Sequence, residues 1–304
     1  MCNAPLVSIC CLTYNHESFL RQCLDGFVMQ KTSFEFEIVV HDDASTDGTR
    51  EILAEYSLKY PTVFRLILQE ENQYSKGVDV LTHLFSHAKG KYIAFCEGDD
   101  YWTDPLKLQK QVDFLENNPE FVLSVHRYCQ YYESDKRYGN VLPHIVTESL
   151  SFDLQYYVSY SNWVTTPLTS MFRSDIVKKY YRNFKHSKDV ALFYVLLKFG
   201  KGMLHKDIMG IYRIHNGGVW SSVSSAKRIS DDLNTLMGIY EHEYDRMSAS
   251  MIYNYIDGKG YLGITFLRKN IKLYFSVLSI LWEYYGLKSI SLFVRSINYI
   301  KRNK

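Results

Sequence analysis

Short apolar runs alternate with helical patterns along roughly the first 120 residues, and this alternation constrains the fold more than any other feature. Four apolar runs have the length of buried strands: residues 7–12, 36–40, 63–68 and 92–96. The segments between them carry apolar residues at helical spacing, and Asp104 with Pro105 predicts the start of the helix after the fourth strand. Such an alternation predicts an α/β fold with a Rossmann-like, mainly parallel sheet and helices on both faces.

The last eighty residues follow a different pattern, because strand signals stop near Ser225 and helical periodicity takes over. We therefore divide the chain into an α/β domain over residues 1–224 and a helical extension over residues 225–304. Residues 259–304 hold nine Lys or Arg and one acidic residue, Glu283, among many aromatic side chains. A basic, aromatic helix can bind an anionic membrane surface, and it can equally pack on the α/β domain or on a second copy of the chain.

Composition excludes several classes of protein. A net charge of +2 is too small to indicate nucleic-acid binding on its own. The six cysteines form no CxxC pair, which indicates reduced thiols. No basic segment precedes an apolar stretch at the start, and no apolar run reaches the length of a membrane span. We predict a cytoplasmic protein, peripheral at the cytoplasmic face of the membrane if the basic extension binds lipid.

Polar clusters follow three of the predicted strands, at residues 13–15, 42–45 and 97–102. Ligands of parallel sheets bind beyond the carboxyl ends of the strands, where these clusters meet. Adjacent carboxylates such as Asp99 and Asp100 favour a hard divalent cation, although a solvated turn would also accommodate them. Asp42 and Asp43 could likewise only cap the next helix. Walker-type, GxGxxG and GxSxG motifs are absent from the sequence.

Four segments carry a family resemblance: VSICCLTYN at residues 7–15, EIVVHDDASTDGT at 37–49, GKYIAFCEGDDYW at 90–102 and IYRIHNGGVW at 211–220. In this order and spacing they resemble glycosyltransferase family 2, over about residues 5–222. The resemblance implies the A-type glycosyltransferase fold and a nucleotide-sugar donor. It leaves the identity of the sugar open.

The resemblance also implies roles for individual residues. Those implied to bind the donor nucleotide sugar are Thr13, Tyr14, Asn15, Asp42, Asp43, Ser45 and Lys76. Those implied to hold a divalent cation, Mn²⁺ or Mg²⁺, are Glu97, Asp99, Asp100 and His215. Within these sets, the resemblance implies that the carboxylate of Asp43 accepts hydrogen bonds from the base. Glu97 stands where the family pattern has Asp. His215 could instead contact the diphosphate or be structural.

Asp189 matches the position of the family's catalytic base, although Val190 replaces the aromatic residue that often follows. A base is needed because the acceptor hydroxyl loses its proton as it attacks, and one base with direct attack inverts the anomeric carbon. Asp189 could also only cap its helix. We predict a metal-dependent inverting glycosyltransferase that uses a UDP-sugar and a saccharide or lipid-linked saccharide acceptor in surface glycan synthesis. The alternatives are a non-catalytic saccharide- or nucleotide-binding protein and, with less support, a nucleotidyltransferase, whose glycine-rich basic loop is missing.

Overall fold

The computed structural model of the chain describes residues 4–144, 147–159, 164–181, 188–218, 224–259 and 271–286. The strands in these ranges are β1 (Val7–Thr13), β2 (Phe36–Asp42), β3 (Phe64–Leu68), β4 (Tyr92–Glu97), β5 (Tyr101–Trp102), β6 (Phe121–Tyr132), β7 (Arg137–Leu142), β8 (Leu150–Phe152), β9 (Met171–Arg173) and β10 (Lys201–Ile214). The helices are α1 (Glu17–Val28), α2 (Thr49–Lys59), α3 (Val80–Ser86), α4 (Lys107–Asn117), α5 (Leu154–Ser159), α6 (Ser174–Tyr180), α7 (Asp189–Leu197), α8 (Ser225–Glu243), α9 (Arg246–Lys259) and α10 (Ile271–Tyr285).

One sheet runs in the order β3-β2-β1-β4-β9-β6-β10-β5, with β7 beside β6 and β8 beside β10. The long ladders are parallel: β1 pairs with β2 and β4, β2 with β3, and β6 with β10. The short strand β9 runs antiparallel between β4 and β6 and joins the two parallel parts. The predicted α/β fold with a mainly parallel sheet is therefore confirmed.

Helices cover both faces of the sheet, as predicted. On one face, Ala94 and Cys96 of β4 belong to the same buried cluster as Leu24 and other residues of α1. On the other face, the ring of Phe95 packs edge-on against Phe85 of α3, with the ring centroids 5.5 Å apart. Apolar side chains thus leave β4 in both directions, which explains why its sequence is continuously apolar rather than alternating.

The described chain divides into two compact units. The first comprises Met1–Asp153, Trp163–Asn183 and Leu192–Asn216 and contains the whole sheet. The second comprises Leu154–Asn162, Phe184–Ala191 and Gly217–Lys304. The second unit therefore begins before residue 225 and includes two further short segments from earlier in the chain.

Helices form the described part of the second unit. Helix α9 packs against α5, α8 and α10. Asn254 of α9 donates a hydrogen bond to the carbonyl oxygen of Val158 in α5 at 2.9 Å, and Tyr253 stacks on Tyr285 of α10 with centroids 4.5 Å apart. The helical character predicted for the extension is thus observed. Residues 260–270 and 287–304, with most of the basic side chains, lie outside the described residues.

Two expectations from composition can be compared with the structure. Cys10, Cys11, Cys23 and Cys96 are buried free thiols, and Cys129 is a partly exposed one. Among the helices of the described ranges, none is both long enough and apolar enough to cross a lipid bilayer.

Helix α4 begins later than the sequence predicts. Its first residue is Lys107, because Asp104 uses its carboxylate to accept a hydrogen bond from the amide of Leu106 at 2.8 Å and closes a turn ahead of the helix. The delayed start places Lys107 inside the protein, where it is 0% exposed.

Lys107 is buried without a carboxylate partner among the contacts of the described residues. Its Nζ donates to Gln111 at 2.7 Å and lies 4.0 Å from the ring centroid of Trp102. Burial lowers the pKa of Lys107 to about 7, from an ordinary 10.5. The folded protein therefore disfavours the charged form of this lysine.

This burial predicts a pH-dependent effect of replacing Lys107 by methionine. Between about pH 7 and 10 the unfolded chain binds a proton at Lys107 that the folded chain does not, so wild-type stability rises with pH across that window. We expect the free energy of unfolding of Lys107→Met, relative to wild type, to fall by about 1.4 kcal/mol per pH unit. Urea unfolding at about pH 7, 8 and 9 measures this difference.

The matched control is Lys110→Met, on the same helix. Lys110 is half-exposed and its hydrogen bond to Asp104 raises its pKa, so it stays charged throughout that window. Its difference from wild type should not change with pH. A constant difference for Lys107→Met as well would show that Lys107 is charged in the folded protein.

Candidate active site

The carboxyl ends of β1, β2 and β4 meet at one edge of the sheet. The carbonyl oxygen of Thr13 accepts a hydrogen bond from the amide of Asp43 at 3.0 Å, and that of Leu12 accepts one from Gly98 at 2.8 Å. The strand end that carries the predicted nucleotide turn is thus bonded to the two strand ends that carry acidic residues. The structure brings the three predicted polar clusters together.

The turns after β1 and β2 are also bonded to each other through side chains. The hydroxyl of Ser45 accepts a hydrogen bond from the amide of Asn15 at 2.9 Å, and the side-chain oxygen of Asn15 accepts one from Thr46 at 2.8 Å. Asn15 and Ala44 both have left-handed backbone, with φ of 54° and 64°. Such backbone is unfavourable for alanine and persists only where neighbouring bonds fix it. Next to Asn15, Tyr14 is exposed.

Asp42 lies inside the turn that follows β2. Its carboxylate accepts hydrogen bonds from Arg50 Nε at 2.7 Å and from the amide of Ser45 at 3.1 Å, and it also accepts one from the Ser45 hydroxyl. The side chain is fully buried. In this structure Asp42 and Ser45 therefore stabilise the conformation of the turn. Their contact with a nucleotide stays a prediction.

Asp43 faces the loop that follows β3. Its two carboxylate oxygens accept hydrogen bonds from the amides of Gln73 and Tyr74, at 2.8 and 3.0 Å. The side-chain amide of Asn72 donates to the carbonyl oxygen of Asp43 at 3.2 Å. Lys76, further along the loop, forms an ion pair with Glu71 and is half-exposed. Lys76 thus lies on a loop whose backbone amides are hydrogen-bonded to the carboxylate of Asp43.

Glu97, Asp99 and Asp100 form an acidic cluster after β4. Each offers a carboxylate oxygen, and these three oxygens lie within 4.8 Å of one another. Asp99 Oδ2 lies 3.1 Å from His215 Nε2 and 3.8 Å from His16 Nε2. Three of the four predicted cation ligands therefore stand together, and the fourth, His215, contacts one of them.

The electrostatics of this cluster fit a cation. Burial alone would raise the pKa of Asp99, but the hydrogen bond from His215 and the charges of His16 and His215 outweigh it and lower that pKa. Burial, followed by the negative charge of Asp99, raises the pKa of Asp100 well above its ordinary value. The anion of Asp100 is thus disfavoured unless a positive charge lies nearby. Carboxylate oxygens are the ligands that Mg²⁺ and Mn²⁺ prefer.

Arg213 of β10 forms hydrogen bonds to two members of the acidic cluster. Its backbone amide donates to Asp100 Oδ1 at 2.8 Å, and its Nε donates to the carbonyl oxygen of Asp99 at 2.8 Å. The other guanidinium nitrogens bind Glu133 and Gln22, each at 2.7 Å. Arg213 is therefore 7% exposed, forms an ion pair with Glu133 and supports the backbone of Asp99.

His16 was not among the residues predicted for the site. It follows the predicted nucleotide turn directly, and this adjacency is the signal that could have identified it. Its Nδ1 and the hydroxyl of Thr13 are buried and have no hydrogen-bond partner among the described residues. Both atoms face Gly98, since a Cβ there would lie 2.9 Å from His16 Nδ1 and 3.0 Å from Thr13 Oγ1. The close approach explains glycine inside the acidic motif.

Asp189 is the first residue of α7 and belongs to the second compact unit. Its Oδ1 accepts a hydrogen bond from the amide of Val190 at 3.0 Å. Burial raises the pKa of Asp189. A position at the start of a helix agrees with capping, and a raised pKa suits a general base.

The fold and the acidic cluster define the class: an A-type glycosyltransferase fold with carboxylates at the carboxyl end of the sheet. A sequence model of the family "Glycosyl transferase family 2" matches residues 8–181, which is more than half of the chain. The chain therefore belongs to glycosyltransferase family 2, and the resemblance described from its motifs is confirmed. Residues 219 and 220 of the fourth motif lie outside the described residues.

Two relatives illustrate the similarity in sequence. An uncharacterized protein of Mycobacterium tuberculosis is 35% identical over 233 residues, which make up 73% of this chain and 62% of that protein. The chain thus spans less than two thirds of the length of this relative. The Escherichia coli UDP-Glc:α-D-GlcNAc-diphosphoundecaprenol β-1,3-glucosyltransferase WfaP is 26% identical over 82% of this chain and 92% of its own length.

Solved structures show the same fold. S. aureus TarS 1–349 in complex with UDP-GlcNAc superposes with a TM-score of 0.63 at 21% identity and covers 83% of this chain and 72% of that one. The mannosyltransferase PcManGT of Pyrobaculum calidifontis, in complex with GDP-Man and Mn²⁺, gives a TM-score of 0.53 at 14% identity and covers 100% of this chain and 89% of that one. At such identities the likeness concerns the fold alone.

Proposed function

We propose that this protein transfers a sugar from a nucleotide-sugar donor to a saccharide acceptor, with inversion at the anomeric carbon. The observation that carries the proposal is the meeting of the turns after β1 and β2 with the acidic cluster after β4. This geometry offers polar turns to a nucleotide and carboxylates to a cation beside its diphosphate. Membership of family 2 supports it independently.

The donor is proposed to be a UDP-sugar, bound by the turn at Thr13, Tyr14 and Asn15 and by Asp43. Tyr14 is the exposed aromatic residue of this turn and is available to stack on a ligand. UDP-Glc in the name of WfaP and UDP-GlcNAc in the TarS complex support uridine, whereas PcManGT holds GDP-Man. Asp43 shares its carboxylate between the base and the loop amides.

Glu97, Asp99 and Asp100 would hold Mn²⁺ or Mg²⁺, with His215 against Asp99. A bound divalent cation supplies positive charge where the leaving diphosphate accumulates negative charge. Arg213 keeps the carboxylate of Asp100 and the backbone of Asp99 in place for this task. Asp189 accepts the proton of the attacking acceptor hydroxyl, and its raised pKa brings its basicity closer to neutral pH.

The acceptor is proposed to be a lipid-linked or growing surface glycan, which the protein binds at the membrane surface. The lipid-linked substrate in the name of WfaP supports this, as do Phe275 and Trp282, which lie seven residues apart on α10 and are exposed. Co-sedimentation with anionic vesicles tests the membrane position. Protein that remains in the supernatant at every lipid concentration would contradict it.

Thermal unfolding with a panel of nucleotides and nucleotide sugars, each with Mn²⁺ or EDTA, tests the proposed function. We expect one nucleotide class to raise the melting temperature, because a ligand that binds the native state stabilises it, and we expect EDTA to remove the shift. A folded protein whose melting temperature responds to none of these ligands would contradict the donor site. A shift that EDTA leaves unchanged would contradict the cation.

A further inference from the structure

A row of tyrosines begins beside the acidic cluster and ends on the protein surface. Register places them on one face of the sheet: Tyr131 of β6 pairs with Tyr138 of β7 and with Arg213 of β10, and Tyr101 of β5 pairs with Ile211 of β10. We call Tyr101, Tyr131 and Tyr138 the tyrosine row. Tyr101 directly follows the acidic cluster in the chain, and none of these three side chains has a role in the proposed donor or cation site.

The rings of the row contact one another and the residue that holds the acidic cluster. The guanidinium carbon of Arg213 lies 5.1 Å from the ring centroid of Tyr101, and the rings of Tyr131 and Tyr138 lie 5.1 Å apart. Burial, and next the neighbouring phenol of Tyr138, raise the pKa of Tyr101 to about 12. The three side chains are therefore neighbours that support each other's positions.

Exposure increases along the row with distance from the acidic cluster. Tyr101 is 8% exposed, Tyr131 is partly exposed and Tyr138 is 62% exposed. An exposed aromatic ring packed against a second ring presents a preformed apolar surface with hydroxyl groups at its edge. This arrangement suits a ligand with both apolar and hydroxyl-bearing faces, as a pyranose has.

Sheet order separates the row from the nucleotide turns. The turns follow β1 and β2, the acidic cluster follows β4, and the row lies on β5, β6, β7 and β10, on the opposite side of β4. A ligand on the row would therefore approach from the side of β4 opposite to the nucleotide turns. A transferase with two substrates needs such a second approach.

We propose that the tyrosine row is the binding platform for the saccharide acceptor, whose sugar rings stack on Tyr131 and Tyr138. The inference rests on the proposed function, because it assigns the second substrate of the same site. The turn between β6 and β7 is tied to the acidic cluster through the ion pair of Glu133 with Arg213 at 2.7 Å. Platform and acidic cluster therefore keep a fixed separation, as direct transfer between two bound substrates requires.

Saturation-transfer NMR with a panel of octyl hexosides and octyl N-acetylhexosaminides tests the platform, on the full chain loaded with UDP and Mn²⁺. We expect the wild type to bind at least one glycoside. Tyr131→Ala and Tyr138→Ala should each weaken that binding about tenfold, because they remove a stacking ring. Tyr138→Phe keeps the ring and should bind within about twofold of wild type.

The control variant is Tyr180→Ala, which replaces an exposed tyrosine of α6 that stacks on Phe199. It should bind glycoside as the wild type does, and all variants should keep the thermal shift with UDP and Mn²⁺. Glycoside binding that survives both alanine substitutions would overturn the platform. A wild type that binds UDP but no glycoside would also overturn it and leave the donor site standing, whereas absence of UDP binding would overturn the proposed function itself.

Discussion

Replacing Asp99 by asparagine is expected to reduce sugar transfer at least about a hundredfold, because it removes a charged ligand from the proposed cation site. Asn keeps the size of the side chain and an oxygen that can accept from His215, so the fold should remain. The measurement is steady-state release of nucleotide from the donor that shifts the melting temperature, over a series of Mn²⁺ concentrations. We expect the loss to persist at saturating Mn²⁺.

The matched control is Asp113→Asn, an exposed aspartate on α4 that accepts a hydrogen bond from Gln109. It removes the same charge elsewhere in the first unit and should leave turnover unchanged. Near-normal turnover in Asp99→Asn would remove Asp99 from the mechanism. Equal losses in both variants would point to a general effect of charge rather than to a cation site.

Replacing Asp189 by asparagine is expected to leave donor binding intact while transfer falls at least about a hundredfold, because an amide cannot accept the proton of the attacking hydroxyl. Asn remains a good residue at the start of a helix, so α7 should persist. Two measurements separate the roles: the thermal shift with donor and Mn²⁺, and the rate of transfer to an acceptor glycoside.

Asp175→Asn is the control for this second substitution, since Asp175 also lies in the first turn of a helix and is exposed. It should alter neither measurement. If Asp189→Asn lost the donor-induced shift, Asp189 would have a role in binding or structure. If it kept both shift and transfer, another residue would have to be the base.

The parallel half of the sheet could be predicted from the sequence because its strands are apolar on both faces. The runs at 7–12 and 92–96 became β1 and β4, and the polar residues after them lie together as expected. Short strands carry no such signal: β5 has two residues and β9 has three. Their strand conformation depends on pairing with β10, β4 and β6, which no local pattern encodes.

Partners of the site residues were harder to predict than the residues themselves. Arg213 reaches Asp99, Glu133 and Gln22, and those pairings follow from the fold rather than from spacing. Lys107 illustrates the same limit, because a lysine in an amphipathic helix is expected to reach solvent. Only the packed structure shows that its charge is buried.

The contacts of Arg213 also determine when the acidic cluster becomes complete during synthesis. The bond to Asp100 spans 113 residues and the bond to Gln22 spans 191. A ribosome that has passed residue 100 has made every carboxylate of the cluster, but the guanidinium that holds it arrives only with the last strand of the sheet. Unfinished chains thus contain the whole acidic motif without the hydrogen bonds from Arg213. The complete site can form only after the last strand of the sheet has been synthesised.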